Sequence, residues 1–400
     1  MSKQILDLAG WLTITTLLLF TFRRWLFIFA ALGRYPCSPI TFAVKSDLFH
    51  VLLLVPLRNE LQALPALVQA LDRLIYPDEM LSVVLIDDSS TDGSQAMIQA
   101  WAHNRKNWYA LRLARNVGKA NALNAALDQF PQGDIVVIYD ADERPLPNAL
   151  ERLILPFADR RIGGVSGRRA VSNALASPAA SYTAIEGLVH QFVTLRAKDK
   201  LNLAPALLGA NCAYRRTALA EAGNFKPGAL LEDSDLTLKL ARAGWKTHFE
   251  PKAISYHQVP QTLAGYWRQH TRWARGFNEV AKDQAASVLF DRYLPLTIRL
   301  ELLFFSVGYL DRLAIFCGAV LAIFNQAVRG RLIRILFLSL LTPVVQIIIA
   351  LTIARESLAM WLRVVWLPLF FGLDIAMAAT GLWTTLVRAP QIWEERHARR

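Results

Sequence analysis

The sequence crowds acids into places where carboxylates are costly unless something offsets them. VVIYDADERP, residues 136–145, runs an apolar stretch straight into Asp140, Asp142 and Glu143. Carboxylates this close repel one another unless a cation lies between them or a turn's backbone N–H groups absorb them. LSVVLIDD ends on a second pair, Asp87 and Asp88. Oxygen ligands of this kind suit Mg²⁺ or Mn²⁺, and Mg²⁺ favours substrate phosphates plus one or two carboxylates. The D-x-D loop is therefore a candidate for holding a metal on a diphosphate, with ordinary turn acids as the alternative. Glu232 and Asp233, in LLEDSDLTLKLARAGW, are candidates for a general base acting on an acceptor hydroxyl. Acids complementing a helix N-terminus are the plain alternative there.

The matching cations and aromatics lie elsewhere. In RNVGKANALNAAL, Lys119 stands at a helix start, where anions are favoured, and can steady phosphates. In GYWRQHTRWARGF, helical spacing puts Gln269, Arg272 and Trp273 on one face. Arg272 can make paired bonds to a diphosphate and Trp273 can stack on a sugar; an amphipathic helix at a membrane surface would use the same residues. His248, His257 and His270 have no metal-ligand spacing. Cys37, Cys212 and Cys317 form no CxxC pair, which argues against a zinc site or disulfide framework. Neither G-x-G-x-x-G nor G-x-x-x-x-G-K-[ST] occurs, which argues against a dinucleotide oxidoreductase or P-loop ATPase.

These residues need elements to position them. HVLLLVPLRNE, LSVVLIDDSSTDGS and GDIVVIYDADE each read as a buried strand ending in a polar loop. LQALPALVQALDRLI and SQAMIQAWAHN between them have helical spacing. The alternation predicts an α/β fold with a mostly parallel sheet, whose ligands gather at the carboxyl ends of the strands.

The two ends of the chain are of another kind. The chain is 54% hydrophobic with a net charge of +12, and its mean hydropathy is +0.28. Residues 5–22 are long enough to span a bilayer, with Arg23 and Arg24 directly after them. An anchor with its N-terminus outside is expected, residues 25–32 extending it or lying in the interface. Residues 335–354 and 361–386 are each long enough to span. Residues 302–324 are apolar but interrupted by Asp311 and Arg312. Read as an interfacial or re-entrant element, they leave Arg329, Arg331, Arg334 and the basic C-terminus inside, which the positive-inside rule prefers. Three or four spans are expected. The basic balance suits a membrane surface better than nucleic acid, since no basic patch is interleaved with aromatics. The expected division is an anchor at 1–34, a cytosolic domain at 35–293, and interface helices with membrane spans at 294–400.

VPLRNE, DDSSTD, GKANALN, DAD, GANCAYRR, LEDSDL and QHTRW, in this order, resemble the family 2 glycosyltransferases. The likeness is to the membrane-embedded group holding poly-N-acetylglucosamine, hyaluronan, chitin and cellulose synthases. It implies a cytosolic, Rossmann-like GT-A domain joined to N- and C-terminal transmembrane helices. It implies that Asp87 and Asp88 bind uridine, with Lys119, Asp140, Asp142 and Arg272 on the rest of a UDP-sugar donor. Asp142 would hold Mg²⁺ or Mn²⁺, and Asp233 would be the catalytic base. Gly209, Asn211, Glu232, Gln269 and Trp273 would border the acceptor. Gln258 stands where those synthases often carry an acid, and the membrane portion is short for a polymer channel unless chains associate or an accessory export subunit contributes.

The expected activity is inverting transfer from a UDP-sugar to a growing β-linked polysaccharide, by a multi-pass protein of the inner or plasma membrane with its catalytic domain in the cytoplasm. Single-sugar transfer to a lipid such as ceramide or diacylglycerol is the alternative. A transporter or scaffold with a nucleotide-binding domain is another, with Asp311, Arg312 and Asp374 as its intramembrane ionisable groups.

Overall fold

The computed structural model describes residues 3–33 and 49–387. Cys37, the expected boundary at 34/35 and the basic C-terminus lie outside the described residues. The eight strands are β1 (Val51–Leu57), β2 (Leu81–Asp87), β3 (Trp108–Arg112), β4 (Ile135–Ile138), β5 (Arg144–Pro145), β6 (Ile162–Val171), β7 (Cys212–Arg215) and β8 (Lys246–His257). They form one sheet in the order β3-β2-β1-β4-β7-β6-β8-β5.

The three strands read from the sequence are β1, β2 and β4, and they pair in parallel. The sheet is mixed, however, because β7 runs antiparallel to both β4 and β6, and β5 antiparallel to β8. The reversal matters for position: β7 starts at the edge where β1, β2 and β4 end, so the loop entering it joins their carboxyl-end loops. β1 is buried on both faces. Val51, Leu53 and Val55 pack beneath helices Leu64–Leu71 and Ser94–His103, while Leu52 and Leu54 pack with Leu123 and Ala126 of helix Lys119–Gln129. An unbroken apolar run is what a central parallel strand covered on both sides requires.

Helix Lys3–Leu32 is continuous, so residues 25–32 extend the first helix. Arg23 and Arg24 are not solvated flanking charges: Arg23 Nη2 lies 2.6 Å from Glu301 Oε1, and Arg24 pairs with Asp311. Helices Lys3–Leu32, Arg329–Ala354 and the segment Leu358–Leu386 are long and apolar enough to cross a membrane. Helices Leu296–Ser306 and Leu310–Phe324 form a pair bent by 68°. Asp374, on the last of these segments, accepts from Tyr266 Oη at 2.5 Å and Tyr182 Oη at 3.0 Å, so it joins this segment to helices Leu263–Leu289 and Pro178–Val189.

The bent pair differs from expectation. Asp311 sits by Arg24, and Asn325 Nδ2 donates to Leu6 O and Asp7 Oδ1, each at 3.0 Å. Helix Leu310–Phe324 thus runs back along the first helix towards its N-terminus. Helix Arg329–Ala354 then returns beside the first helix, through Val328 and Leu332 against Ile14, Thr21 Oγ1 at 2.8 Å from Ser339 Oγ, and Ile347 and Leu351 against Phe27 and Ala31. Arg329, Arg331 and Arg334 therefore lie at the end of the bundle away from the sheet. Their charge is answered locally: Arg329 donates to the terminal carbonyls of Ala322 and Ile323, and Arg331 lies over the Trp11 ring at 5.0 Å. Counting flanking arginines presumes free, solvated charges, and these are partly spent on the helices.

In a cysteine-free background, Gln326→Cys is expected to react with an impermeant maleimide from the side opposite to that from which Lys106→Cys reacts. Labelling of both from one side would show that the bent pair does not carry the chain across.

Candidate functional site

The edge where β1, β2 and β4 end opens into a cavity of about 1700 Å³. Lys119, Asp140, Asp142, Gly209, Glu232, Asp233, Gln269, Arg272 and Trp273 all line it. Residues spread from position 119 to position 273 are brought together because each sits at a strand end, a helix start, or one face of helix Leu263–Leu289.

Lys119 is central to this wall. Its Nζ lies 2.8 Å from Asp140 Oδ1, 2.8 Å from Gly209 O and 3.3 Å from Glu232 Oε1. Burial opposes the charge on Lys119, but Asp140 and Glu232 more than offset it and raise its pKa. The left-handed conformation of Gly209, φ +72°, lets its carbonyl reach Lys119. A Cβ there would lie 2.7 Å from Asp233 Oδ2.

Asp233 opens helix Glu232–Arg242, and its Oδ1 accepts from Ser234 N at 2.7 Å. Burial, then repulsion from Glu232, pushes its pKa up to about 6, with Lys119 and Arg272 pulling the other way. A carboxylate so tuned is ionised near neutrality yet basic enough to accept a proton. Gln269 Oε1 is buried with no hydrogen-bond partner among the described residues. Arg272 donates to Leu230 O at 3.3 Å, and the Trp273 ring lies 4.7 Å from that of His270.

Three expected site residues do not line the cavity. Asp88 spends both oxygens on the backbone, accepting from Val117 N at 2.7 Å and Gly118 N at 2.8 Å. It shapes the loop that presents Lys119. Asn211 is fully buried, with φ +50°, and its Nδ2 bridges Arg168 O and Ala253 O at 2.9 Å each, tying β6 to β8. Asp87 is also fully buried; Oδ1 accepts from Ser90 N at 3.0 Å, and Oδ2 has no partner among the described residues.

Arg169 was missed by the sequence reading. It follows no motif and lies late in β6, but its Nη2 is 3.7 Å from Asp140 Oδ2 and its Nε 2.7 Å from Glu143 Oε1. Its backbone is held by Gln191, which accepts from Arg169 N at 2.8 Å and donates to Arg169 O at 3.0 Å. Glu143, the third acid of the DADE run, is thereby a buried partner of Arg169 and not a cavity group. Alternation along β6 does not single Arg169 out, because the register shifts between Gly167 and Arg168 and both Arg168 and Arg169 line the cavity.

Among the described residues no three His, Cys, Asp or Glu side chains form a ready metal cage. The donor set still fits Mg²⁺ or Mn²⁺ on a diphosphate. Asp142 lines the cavity beside Asp140, Glu232 and Asp233, and one or two carboxylates complete such a site when phosphate oxygens supply the rest.

The model of the family described as "Glycosyltransferase like family 2" matches residues 50–276. The probable glycosyltransferase YdaM of Bacillus subtilis (strain 168) is 29% identical over 235 residues, 58% of this chain and 56% of that one. The poly-beta-1,6-N-acetyl-D-glucosamine synthase of Staphylococcus aureus (strain COL) is 28% identical over 225 residues, 55% of this chain and 53% of that one. The chain thus aligns with about half the length of these curated relatives. The mannosyltransferase PcManGT of Pyrobaculum calidifontis, solved with GDP-Man and Mn²⁺, superposes with a TM-score of 0.66 at 20% identity, covering 97% of this chain and 99% of that one. It shares the fold, a GT-A core with terminal helices.

Gly209→Ala is expected to lower stability by about 1–2 kcal/mol, the cost of a side chain in a left-handed conformation, as read by thermal unfolding. An unchanged unfolding midpoint would show that the Gly209 loop relaxes freely.

Proposed function

The chain belongs to glycosyltransferase family 2, and on that footing we propose that it moves a sugar from a UDP-sugar to a hydroxyl of an acceptor carried at the membrane, with inversion. The observation supporting this most directly is that one cavity is lined by Asp142, Asp233, Gln269, Arg272 and Trp273 and also by Phe20, Phe304 and Ile347 of the terminal helices. Donor chemistry and a membrane-borne acceptor thus have a common space. We place the catalytic domain on the cytoplasmic face of a multi-pass protein, as the motif resemblance suggests.

In this reading Asp233 takes the proton of the acceptor hydroxyl. The acceptor oxygen then forms its bond to the anomeric carbon from the face opposite the departing UDP, whose phosphate oxygen keeps the bonding electron pair. Arg272 and Lys119 offset the charge that develops on that phosphate. Mg²⁺ or Mn²⁺ bound at Asp142 would supply Lewis-acid stabilisation of the same leaving group. An α-linked donor gives a β-linked product. Gln269 Oε1 is set to accept a hydroxyl of the acceptor or donor sugar, and Trp273 gives a sugar face an aromatic platform.

Two products fit. The cavity meets the first helix at Phe20, Arg23, Arg24 and Phe27, and helix Arg329–Ala354 at Pro343, Gln346 and Ile347. All lie in the half of each helix nearer the sheet. A cavity that stops midway favours an acceptor entering from the lipid over a polymer threaded through this chain. Extension of a β-linked polysaccharide is the second reading, favoured by the similarity to the poly-beta-1,6-N-acetyl-D-glucosamine synthase. Its exit path would then need a second copy or an accessory subunit.

With labelled UDP-sugars and metal-supplemented membranes, a single organic-extractable product is expected; a ladder or high polymer would select the second reading. Asp233→Asn should lower kcat by ~10²–10⁴-fold, the usual range for a lost general base, with UDP binding retained. Retention of most activity would remove Asp233 from its role. In the wild type, kcat/KM should fall about tenfold per pH unit on the acid side of the Asp233 pKa, which lies at about 6. Lys119→Met should move that limb upward, because a cation favouring the ionised form is gone. A limb that stays in place would show that another group sets it.

A further inference from the structure

The membrane end of the cavity carries more positive than negative charge. Arg23, Arg24 and Arg312 line it together with Asp311. Behind that wall Lys198 Nζ lies 3.2 Å from Glu301 Oε1, the same carboxylate that takes Arg23 at 2.6 Å. Asp311 is shared between Arg24 and Arg312, the latter at 3.0 Å. Two carboxylates therefore answer four cations. The acids packed around them do not close the balance. Glu186 is engaged by His270 at 2.8 Å, and Asp374 takes two tyrosine hydroxyls. If Asp374 is set wholly against Arg312, one positive charge still remains. His190 lies on the same wall, where burial first, then Lys198 and Arg23, push its pKa down to about 4.

An unbalanced charge out of water is costly, so such a place is completed by an anion. The neighbouring surface restricts which anion. Phe304 and Phe371, both half-buried, line the cavity on the side of the arginines. A small inorganic anion would meet the charge and leave this apolar wall uncovered. A lipid phosphate meets both: Arg312 Nε is buried with no hydrogen-bond partner among the described residues and is a donor suited to a phosphate oxygen, while Arg23, whose Nε and Nη2 are spent on Glu301, adds its charge.

We infer that the acceptor is a phosphate-bearing lipid, with its phosphate at Arg23, Arg24 and Arg312, its apolar chain against the phenylalanines, and its hydroxyl-bearing head reaching Asp233. This rests on the transfer reaction proposed above and specifies its substrate class. The bonds made and broken are those already given; the lipid phosphate is a handle and is unchanged in the reaction.

The test incubates membranes containing the full-length protein with radiolabelled UDP-sugars and separates the organic-extractable product on an anion exchanger. Label in a retained, anionic lipid is the expected result. Arg23→Gln and Arg312→Gln should each reduce it by ~10-fold or more, as for a lost charge-assisted bond, with UDP binding unchanged. Arg312→Lys, which keeps the charge, should retain more product than Arg312→Gln. Label confined to a neutral glycolipid, to a soluble phosphate ester or to an aqueous polymer would overturn the proposal while leaving glycosyl transfer intact. So would variants that keep full product. Absence of UDP release with every donor would instead strike at the transfer reaction itself.

Discussion

One ammonium group holds one wall of the cavity together. Lys119 Nζ touches the loop after β4 through Asp140, the loop into β7 through Gly209 O, and the start of helix Glu232–Arg242 through Glu232. Without that cation, Asp140, Asp142, Glu232 and Asp233 would face one another with Arg169 and Arg272 as the nearest compensation. Like charges at such range cannot all ionise, and the cluster would take up protons instead of metal. The position of Lys119 depends in turn on Asp88, whose two oxygens hold the backbone of Val117 and Gly118 just before it. A residue that does not line this cavity thereby sets the geometry of one that does.

The cavity is electrically divided. At the sheet end acids predominate, which suits a divalent cation and a diphosphate; at the membrane end cations predominate, which suits an anion. Between the two lies the face of helix Leu263–Leu289 carrying Gln269, Arg272 and Trp273. That helix is itself fixed to the last membrane segment: Tyr266 Oη donates to Asp374, Phe370 packs edge-on against Tyr266, and a Cβ on Gly381 would lie 2.7 Å from Ala274 Cβ. That face is held in register by the terminal helices as much as by the sheet. The ionisable groups that resembled a transport pathway in sequence all have internal partners: Asp374 belongs to this joint, while Asp311 pairs with Arg312 and with Arg24 of the first helix.

Much of this was legible in the amino-acid order because it rests on local rules. Buried runs of four to seven apolar residues ending in acids can hardly be anything but central strands delivering carboxylates to a sheet edge, and β1, β2 and β4 follow that logic. Helical spacing alone placed Gln269, Arg272 and Trp273 on one face, and Glu232 and Asp233 in a first turn. Roles that depend on where a side chain spends its hydrogen bonds were not legible. Asp88 and Asn211 look like ligand groups in sequence, but both oxygens of Asp88 and the amide nitrogen of Asn211 are taken by backbone from segments tens of residues away. Arg169 carries no motif, and its contact with Asp140 exists only because the reversed β7 brings β6 beside β4's loop. Membrane topology divided along the same line. Apolar length identified the candidate spans; whether Arg23, Arg24 and Arg329 count as free flanking charges was decided by Glu301, Asp311 and the carbonyls of Ala322 and Ile323. Periodicity reports which face of an element is buried, whereas the partner of a charge is a property of the folded whole.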